Sequence, residues 1–202
     1  EGLPVLLHGM RTEARRVLAS DVLEALGMAA QTTPGAVAPG QVAHIATDLL
    51  HPGLARLLAT RAVIGLRNPG HSVVKLMNPC AGPALIVSSY THPEYLDTLR
   101  ATCEGLGLYA LLSRGLEGEV VADPRRLPRY DGFVAGVHQV LDEQQPGTAS
   151  AIDGLPTAID VASTADYTRQ VLAGSLPVPE AIARQVAHIC QLARQIPPGE
   201  QP

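Results

Sequence analysis

One stretch of the chain, residues 84–113, limits the possible folds more than any other. Residues 84–89 are an apolar run, residues 93–106 have helical spacing, and residues 109–113 are a second apolar run. A strand, a helix and a strand within about thirty residues form a βαβ unit, whose two strands run parallel. Parallel sheets are covered on both faces. The sequence therefore predicts an α/β fold with a parallel-type central sheet flanked by helices.

The rest of the chain predicts further elements around this unit. Residues 3–7 and 119–122 are expected to be strands. Gly after the last apolar position, Pro in the first turn and Ser at a cap mark the ends of several helices. Helices are expected over residues 12–26, 41–50, 52–64, 72–77, 163–173 (capped by Ser163) and 179–196. A chain of 202 residues can bury its own core, so we expect one domain over 1–202, with a frayed tail at 199–202.

Composition excludes several classes of protein. The net charge is −4, which excludes a strongly basic, histone-like protein. No run of 18 apolar residues could span a membrane, and the opening Glu1-Gly2-Leu3-Pro4 has no leader pattern. The three cysteines are odd in number and widely spaced, which indicates buried thiols in a reducing cytoplasm and no zinc site.

The positive charge is of an unusual kind, because Lys75 is the only lysine among 15 basic residues. A genome rich in G and C would produce this bias, and so would phosphate recognition, in which a planar guanidinium pairs bidentately. Residues 1–100 carry eight basic and seven acidic side chains, whereas residues 101–202 carry seven and twelve. An anion-binding surface is therefore expected in the first half.

Several blocks of sequence resemble one known family in the right order. His8-Gly9-Met10-Arg11 is followed by SDVLEALG at residues 20–27, then by HP at 51–52, IGLR at 64–67 and NP at 78–79. These blocks resemble glycosyltransferase family 3, the anthranilate phosphoribosyltransferase fold. The resemblance implies a nucleoside phosphorylase/phosphoribosyltransferase C-terminal catalytic domain. It covers the later two thirds of a typical bacterial member, without the N-terminal helical domain or its Gly-Thr-Gly-Gly-Asp phosphate loop.

Departures from the family pattern point to its YbiB-type, TrpD-like branch. Leu7 stands where the enzymes have Lys, and Met10 stands where they have the Asn that contacts anthranilate. A helix over 12–26 would replace a glycine-containing loop, and so hide backbone N–H groups that could bind phosphate. The segments YTHPEY at 90–95 and LEGEV at 116–120 are similar to that branch. The resemblance implies a homodimeric full-length protein that binds nucleic acid.

The family holds Mg²⁺ through adjacent Asp and Glu after a strand, and the matching stretch here contains Glu117 and Glu119. Because Gly118 replaces the second acid, we expect at most a weakened metal site and no required cofactor; the alternative is a solvated turn.

Five arginines are the candidate nucleic-acid or phosphate ligands: Arg11, Arg15, Arg16, Arg61 and Arg67. Arg11 and Arg15 would share a helix face, and the alternative is that the group is simply solvated. Arg61 matches the residue that meets the anthranilate carboxylate in the enzymes, and the alternative for it is an internal ion pair. No catalytic constellation stands out among the remaining residues.

Two functions follow from these observations. The first is non-specific DNA or RNA binding through phosphate contacts, without anthranilate activity. The second is an active, Mg²⁺-dependent phosphoribosyltransferase that uses phosphoribosyl pyrophosphate and an amine or aromatic acceptor. A degenerate homologue that serves as an interaction surface is a third interpretation.

Overall fold

The computed structural model describes residues 1–13, 15–115 and 119–197, and these pack as two compact units. One unit is formed by residues 1–74 and 153–177, and the other by residues 75–152 and residue 178 onward. In chain order the elements are β1 (Val5–Gly9), α1 (Ala19–Ala25), β2 (Val42–Ala46), α2 (Thr47–Leu50), α3 (Pro52–Ala59), α4 (Arg61–Ile64), α5 (Gly70–Val73), a 3₁₀ turn (Val74–Leu76), β3 (Leu85–Tyr90), α6 (Glu94–Gly105), β4 (Tyr109–Arg114), β5 (Tyr130–Val134), β6 (Val137–Asp142), α7 (Val161–Leu172) and α8 (Glu180–Ala193). The expectation of one domain over 1–202 stays a prediction.

The first unit is built on a two-stranded parallel sheet. Val5 of β1 lies opposite Val42 of β2, and Gly9 lies opposite Ala46. Helix α1 packs against α7, although more than a hundred residues separate them in the chain. The guanidinium of Arg169 on α7 donates a hydrogen bond to the carbonyl of Ala25, which fixes the end of α1.

Three predicted helices of this unit need correction. The helix predicted over 12–26 begins only at Ala19, and residues 12–13 and 15–18 are not helical: Asp21 accepts a hydrogen bond from the N–H of Leu18 at 3.0 Å, and this cap starts α1. Residues 42–46 form β2 rather than a helix, since pairing with β1 outweighs local preference. The helix predicted over 52–64 breaks at Thr60, where Asn68 donates to the carbonyl of Leu57 at 2.7 Å.

The second unit contains a four-stranded sheet with the order β3-β4-β5-β6. Strands β3 and β4 are parallel, as the βαβ pattern predicts, and β5 and β6 are antiparallel, so the sheet is mixed. Helix α6 covers one face, where Leu99 and Cys103 join a buried cluster with Phe133. Helix α8 covers the other face, where Ala181 and Leu192 pack with the buried Tyr130. The α/β class and the flanking helices are thereby confirmed.

The β5–β6 hairpin was not predicted from the sequence. Its two strands are joined by a turn of two residues. Ala135 and Gly136 both have positive φ, 47° and 81°. This is the conformation of a type I′ turn, whose twist suits tight antiparallel hairpins. A Cβ at Gly136 would lie 2.8 Å from the carbonyl oxygen of Glu104, so this position also requires glycine for space.

Smaller predictions also change. Residues 119–122 are not a strand. Helix α7 is capped by Asp160, whose carboxylate accepts from the N–H of Ser163 at 2.8 Å, so Ser163 lies inside the helix. The three cysteines are free thiols as expected, but only Cys103 is buried, whereas Cys80 is exposed.

Candidate nucleic-acid interface

The first candidate arginine, Arg11, follows directly after β1 and is held by its own chain. Its guanidinium pairs with the carboxylate of Asp21 and donates to the carbonyl oxygen of Arg16 at 2.7 Å. The hydrogen bond from Arg11 is the main reason why the pKa of Asp21 lies below its usual value. Because residues 11–13 and 15–18 are not helical, Arg11 and Arg15 do not share a helix face, and that prediction is wrong.

Glu13 joins the loop after β1 to helix α4. Its carboxylate lies 2.9 Å from Nη2 of Arg61 and 3.5 Å from Nε of Arg16. Arg61 therefore sits in an internal ion pair, the alternative that its spacing left open. Arg16 and Arg61 therefore have a structural role, because the carboxylate of Glu13 contacts both guanidinium groups. Glu13 and Arg61 are 48 residues apart in the chain.

The two remaining candidates, Arg15 and Arg67, differ from the other three. Both side chains are exposed, and neither makes an ion pair with a described residue. Arg56 on α3 has the same character. Burial is the main cause that lowers the pKa of His71, and the charges of Arg61 and Arg67 lower it further. The segment around α4 and α5 is therefore electropositive.

Polar groups also lie at the carboxyl edge of the two-stranded sheet. Arg11 follows β1 and Thr47 follows β2, and Gly9 and Ala46 at the strand ends are register partners. Ligands of parallel sheets bind at this edge. Thr47 is fully buried, and its hydroxyl has no hydrogen-bond partner among the described residues. Burial lowers the pKa of the nearby His44, although the charge of Asp21 opposes this shift.

The predicted metal residues receive little support. Glu117 lies outside the described residues. Glu119 is exposed and not in a strand, and a Cβ at Gly115 would lie 2.1 Å from its carbonyl oxygen. The backbone of Glu119 therefore closes over the end of β4. Among the described residues, no group of three or more His, Cys, Asp and Glu side chains could hold a metal ion.

One buried polar cluster was missed at the sequence level. Asp131 on β5 has no exposed side-chain surface, and Arg129 contacts it at 2.9 Å. Nε2 of His138 lies 2.7 Å from the same carboxylate. The available signal was a lone Asp in the apolar run Tyr130–Val134. With its acceptors saturated by Arg129 and His138, this carboxylate stabilises the sheet.

Comparison with known proteins identifies proteins that resemble this chain. No family model matches the chain. The protein of Escherichia coli K12 named "Uncharacterized protein YbiB" is 36% identical over an alignment of 192 positions, which covers 92% of this chain and 59% of that protein. The anthranilate phosphoribosyltransferase of Sorangium cellulosum is 31% identical over 188 residues, 86% of this chain and 51% of the enzyme. The anthranilate phosphoribosyltransferase of Synechocystis is 27% identical over an alignment of 208 positions, which covers 98% of this chain and 60% of the enzyme.

The chain is similar to YbiB and to anthranilate phosphoribosyltransferases over most of its length. The resemblance predicted from its motifs is thereby confirmed, including the similarity to YbiB. The chain spans between about half and three fifths of the length of these relatives. Within the described ranges, no helix of this chain is long and apolar enough to cross a membrane.

Proposed function

We propose that this anthranilate phosphoribosyltransferase-like chain binds DNA or RNA without sequence preference, through phosphate contacts made by arginines of its first unit. The observation that supports this proposal is the exposure of Arg15, Arg56 and Arg67, which have no carboxylate partner among the described residues. Guanidinium groups that are not already paired keep all their donors for phosphate oxygens.

Charge pairing divides the candidate arginines into two sets. Arg11, Arg16 and Arg61 are neutralised by Asp21 and Glu13, and they shape the loop after β1. This loop carries Arg15, and its ion pair with Arg61 ties it to the helix that precedes Arg67. Arg15 and Arg67 are thus the candidates whose guanidinium groups make no ion pair with a described residue.

The aromatic residues favour binding that ignores base identity. Tyr90, Tyr130 and Phe133 are buried in the second unit, where their rings serve the core. A base-stacking platform needs several exposed rings in a row. Without it, phosphate contacts dominate, and these carry no sequence information.

The salt dependence of binding gives the quantitative test. For three phosphate contacts on duplex DNA, log K falls against log[salt] with a slope of about −2.7, a loss of about 40-fold between 50 and 200 mM salt. Fluorescence anisotropy with labelled duplex and single-stranded oligonucleotides of unrelated sequence measures this slope. The double substitution Arg15→Gln with Arg67→Gln should reduce it to about −0.9.

Arg100→Gln is the matched control, because Arg100 lies on α6 of the second unit and pairs with Glu104 at 3.2 Å. It should leave the slope unchanged. If the chain fails to bind either oligonucleotide at low salt, or if the control lowers the slope as much as the double variant, the proposal is wrong.

We also propose that anthranilate transfer has been lost, since Leu7 and Met10 replace the Lys and Asn of the family pattern. A magnesium-dependent phosphoribosyltransferase with another amine or aromatic acceptor is the second candidate. It is favoured by the non-helical residues 12–13 and 15–18 after β1, and by the buried hydroxyl of Thr47 at the same sheet edge, which has no hydrogen-bond partner among the described residues. Release of pyrophosphate from phosphoribosyl pyrophosphate, measured with and without Mg²⁺ and a panel of amines, tests it. A homodimer of the full-length protein is part of the first proposal and can be measured by sedimentation.

A further inference from the structure

A pocket in the second unit, remote in sequence from the candidate interface, has the chemistry of a small anion site. Its volume is about 280 Å³, and its walls come from residues 124–127, the loop 145–152 and the start of α8. Two backbone hydrogen bonds fix the walls. The N–H of Gln145 donates to the carbonyl oxygen of Leu127 at 3.1 Å, and the N–H of Ala149 donates to the carbonyl oxygen of Arg125 at 2.9 Å. The pocket is therefore a built feature of the fold.

Two arginines line this pocket, and one of them is only loosely paired. Arg125 and Arg126 both line it, and they share a single carboxylate, that of Asp123. Arg125 binds this carboxylate through Nε at 3.0 Å, while Nε of Arg126 lies 3.7 Å away, beyond a good hydrogen bond. One guanidinium therefore keeps almost all its donors for a ligand.

The other charged group that lines the pocket is an acid, and it is itself paired with an arginine that also lies 3.6 Å from Asp142. Glu180 at the start of α8 also lines the wall, and Nη2 of Arg184 lies 2.8 Å from its carboxylate. The start of α8 contributes Glu180 and Ala181 to the lining, and no side chain caps the first turn of this helix. The hydroxyl of Thr148 adds a neutral donor to the lining.

The remaining lining is apolar. Pro124, Leu127, Pro146 and Ile152 contribute it, and Leu127 also packs against the buried core of the sheet. A bare inorganic ion would use the guanidinium groups and leave this wall in water. A ligand that joins an anionic group to a compact apolar body would contact both.

We propose that this pocket binds a small phosphomonoester with a compact apolar body, its phosphate on Arg126 and Arg125 and its body on Leu127 and Ile152. A phosphate dianion suits two guanidinium groups and a hydroxyl, because its oxygens accept several charge-assisted hydrogen bonds at once. The pocket, at the small end of the range for ligand sites, suits a body of about one ring.

Phenyl phosphate is the probe, with inorganic phosphate and phenol as its two halves, and isothermal titration calorimetry measures the dissociation constants. Arg126→Gln should weaken binding of phenyl phosphate about tenfold or more, the loss expected for a charge-assisted hydrogen bond. The matched control is Arg194→Gln, an exposed arginine at the other end of α8. Inorganic phosphate should bind more weakly than phenyl phosphate.

Because Arg125 also holds the turn at Asp123, Thr148→Val serves as a second variant with less risk to folding, and it should weaken binding severalfold. Amide shifts of residues 147–149 and 181 on addition of phenyl phosphate locate the site. No binding, equal loss in Arg194→Gln, or equal affinity for inorganic phosphate would each overturn the proposal. The double variant at Arg15 and Arg67 should keep phenyl phosphate binding, so this result is separate from nucleic-acid binding.

Discussion

The substitution Asp131→Asn tests the energetics of the second unit most directly. The Asp131 carboxylate is fully buried and contacts Arg129 through both Nε and Nη2, and His138 through Nε2. Asparagine keeps the size of the side chain, but it removes the charge and turns an N–H₂ group toward donors. Arg129 is then left without its main partner, although its side chain is 30% exposed and can recover some water.

Removing one partner of a buried ion pair costs about 3–5 kcal/mol, and partial hydration of Arg129 places the expected loss near the lower end, about 3 kcal/mol. With a urea m value of about 2 kcal/mol/M, the midpoint of unfolding should fall by about 1.5 M. Far-UV circular dichroism follows the transition.

Glu143→Gln is the control, because Glu143 also contacts Arg129, at 3.3 Å, but is 72% exposed. It should cost less than about 0.5 kcal/mol. A midpoint shift for Asp131→Asn below about 0.3 M, or one equal to the control, would refute the idea that burial makes this carboxylate important.

Three further predictions concern other parts of the chain. Cys80 should react with a disulfide reagent in the native protein, whereas Cys103 should not, because burial raises its pKa to about 11; reaction of both at one rate would contradict this. The hydrogen bond from Arg11 lowers the pKa of Asp21, so its stabilisation is present above the unfolded pKa and is lost as pH falls through the folded one. Arg11→Gln should therefore flatten the decline of Tm in acid, and an unchanged decline would count against the pair. Asp160→Ala should lower the free energy of unfolding by about 1 kcal/mol through loss of the α7 cap, measured by urea titration; no loss would mean that the cap is replaced by water.

The sequence predicts best those elements that depend on near neighbours. The βαβ unit over residues 84–113 is correct because its apolar runs and helical spacing are all local, and their pairing follows from the short connection. The β5–β6 hairpin was missed because its turn is Ala135-Gly136, and alanine with positive φ is not a usual turn signal. Strand β2 was mistaken for a helix, since only its distant partner β1 makes it a strand.

The same difference between local and distant features applies to the candidate site. The types of residue could be chosen from the sequence, but their partners could not. Glu13 meets Arg61 across 48 positions of chain, and no spacing rule predicts such a contact. The assumption of a helix through residues 12–18 also overlooked Asp21, which competes for the backbone N–H of Leu18.

The first unit is discontinuous, and this imposes an order on folding. Residues 153–177 return to it after residues 75–152 have formed part of the other unit, and Arg169 reaches Ala25 across 144 positions. Closing a flexible loop of that length costs about 4 kcal/mol in chain entropy. If the intervening sheet folds first, it shortens the effective loop. Docking of α7 onto α1 should then be a late event, because the ribosome must synthesise residues 75–152 and α7 before α1 can meet its partner.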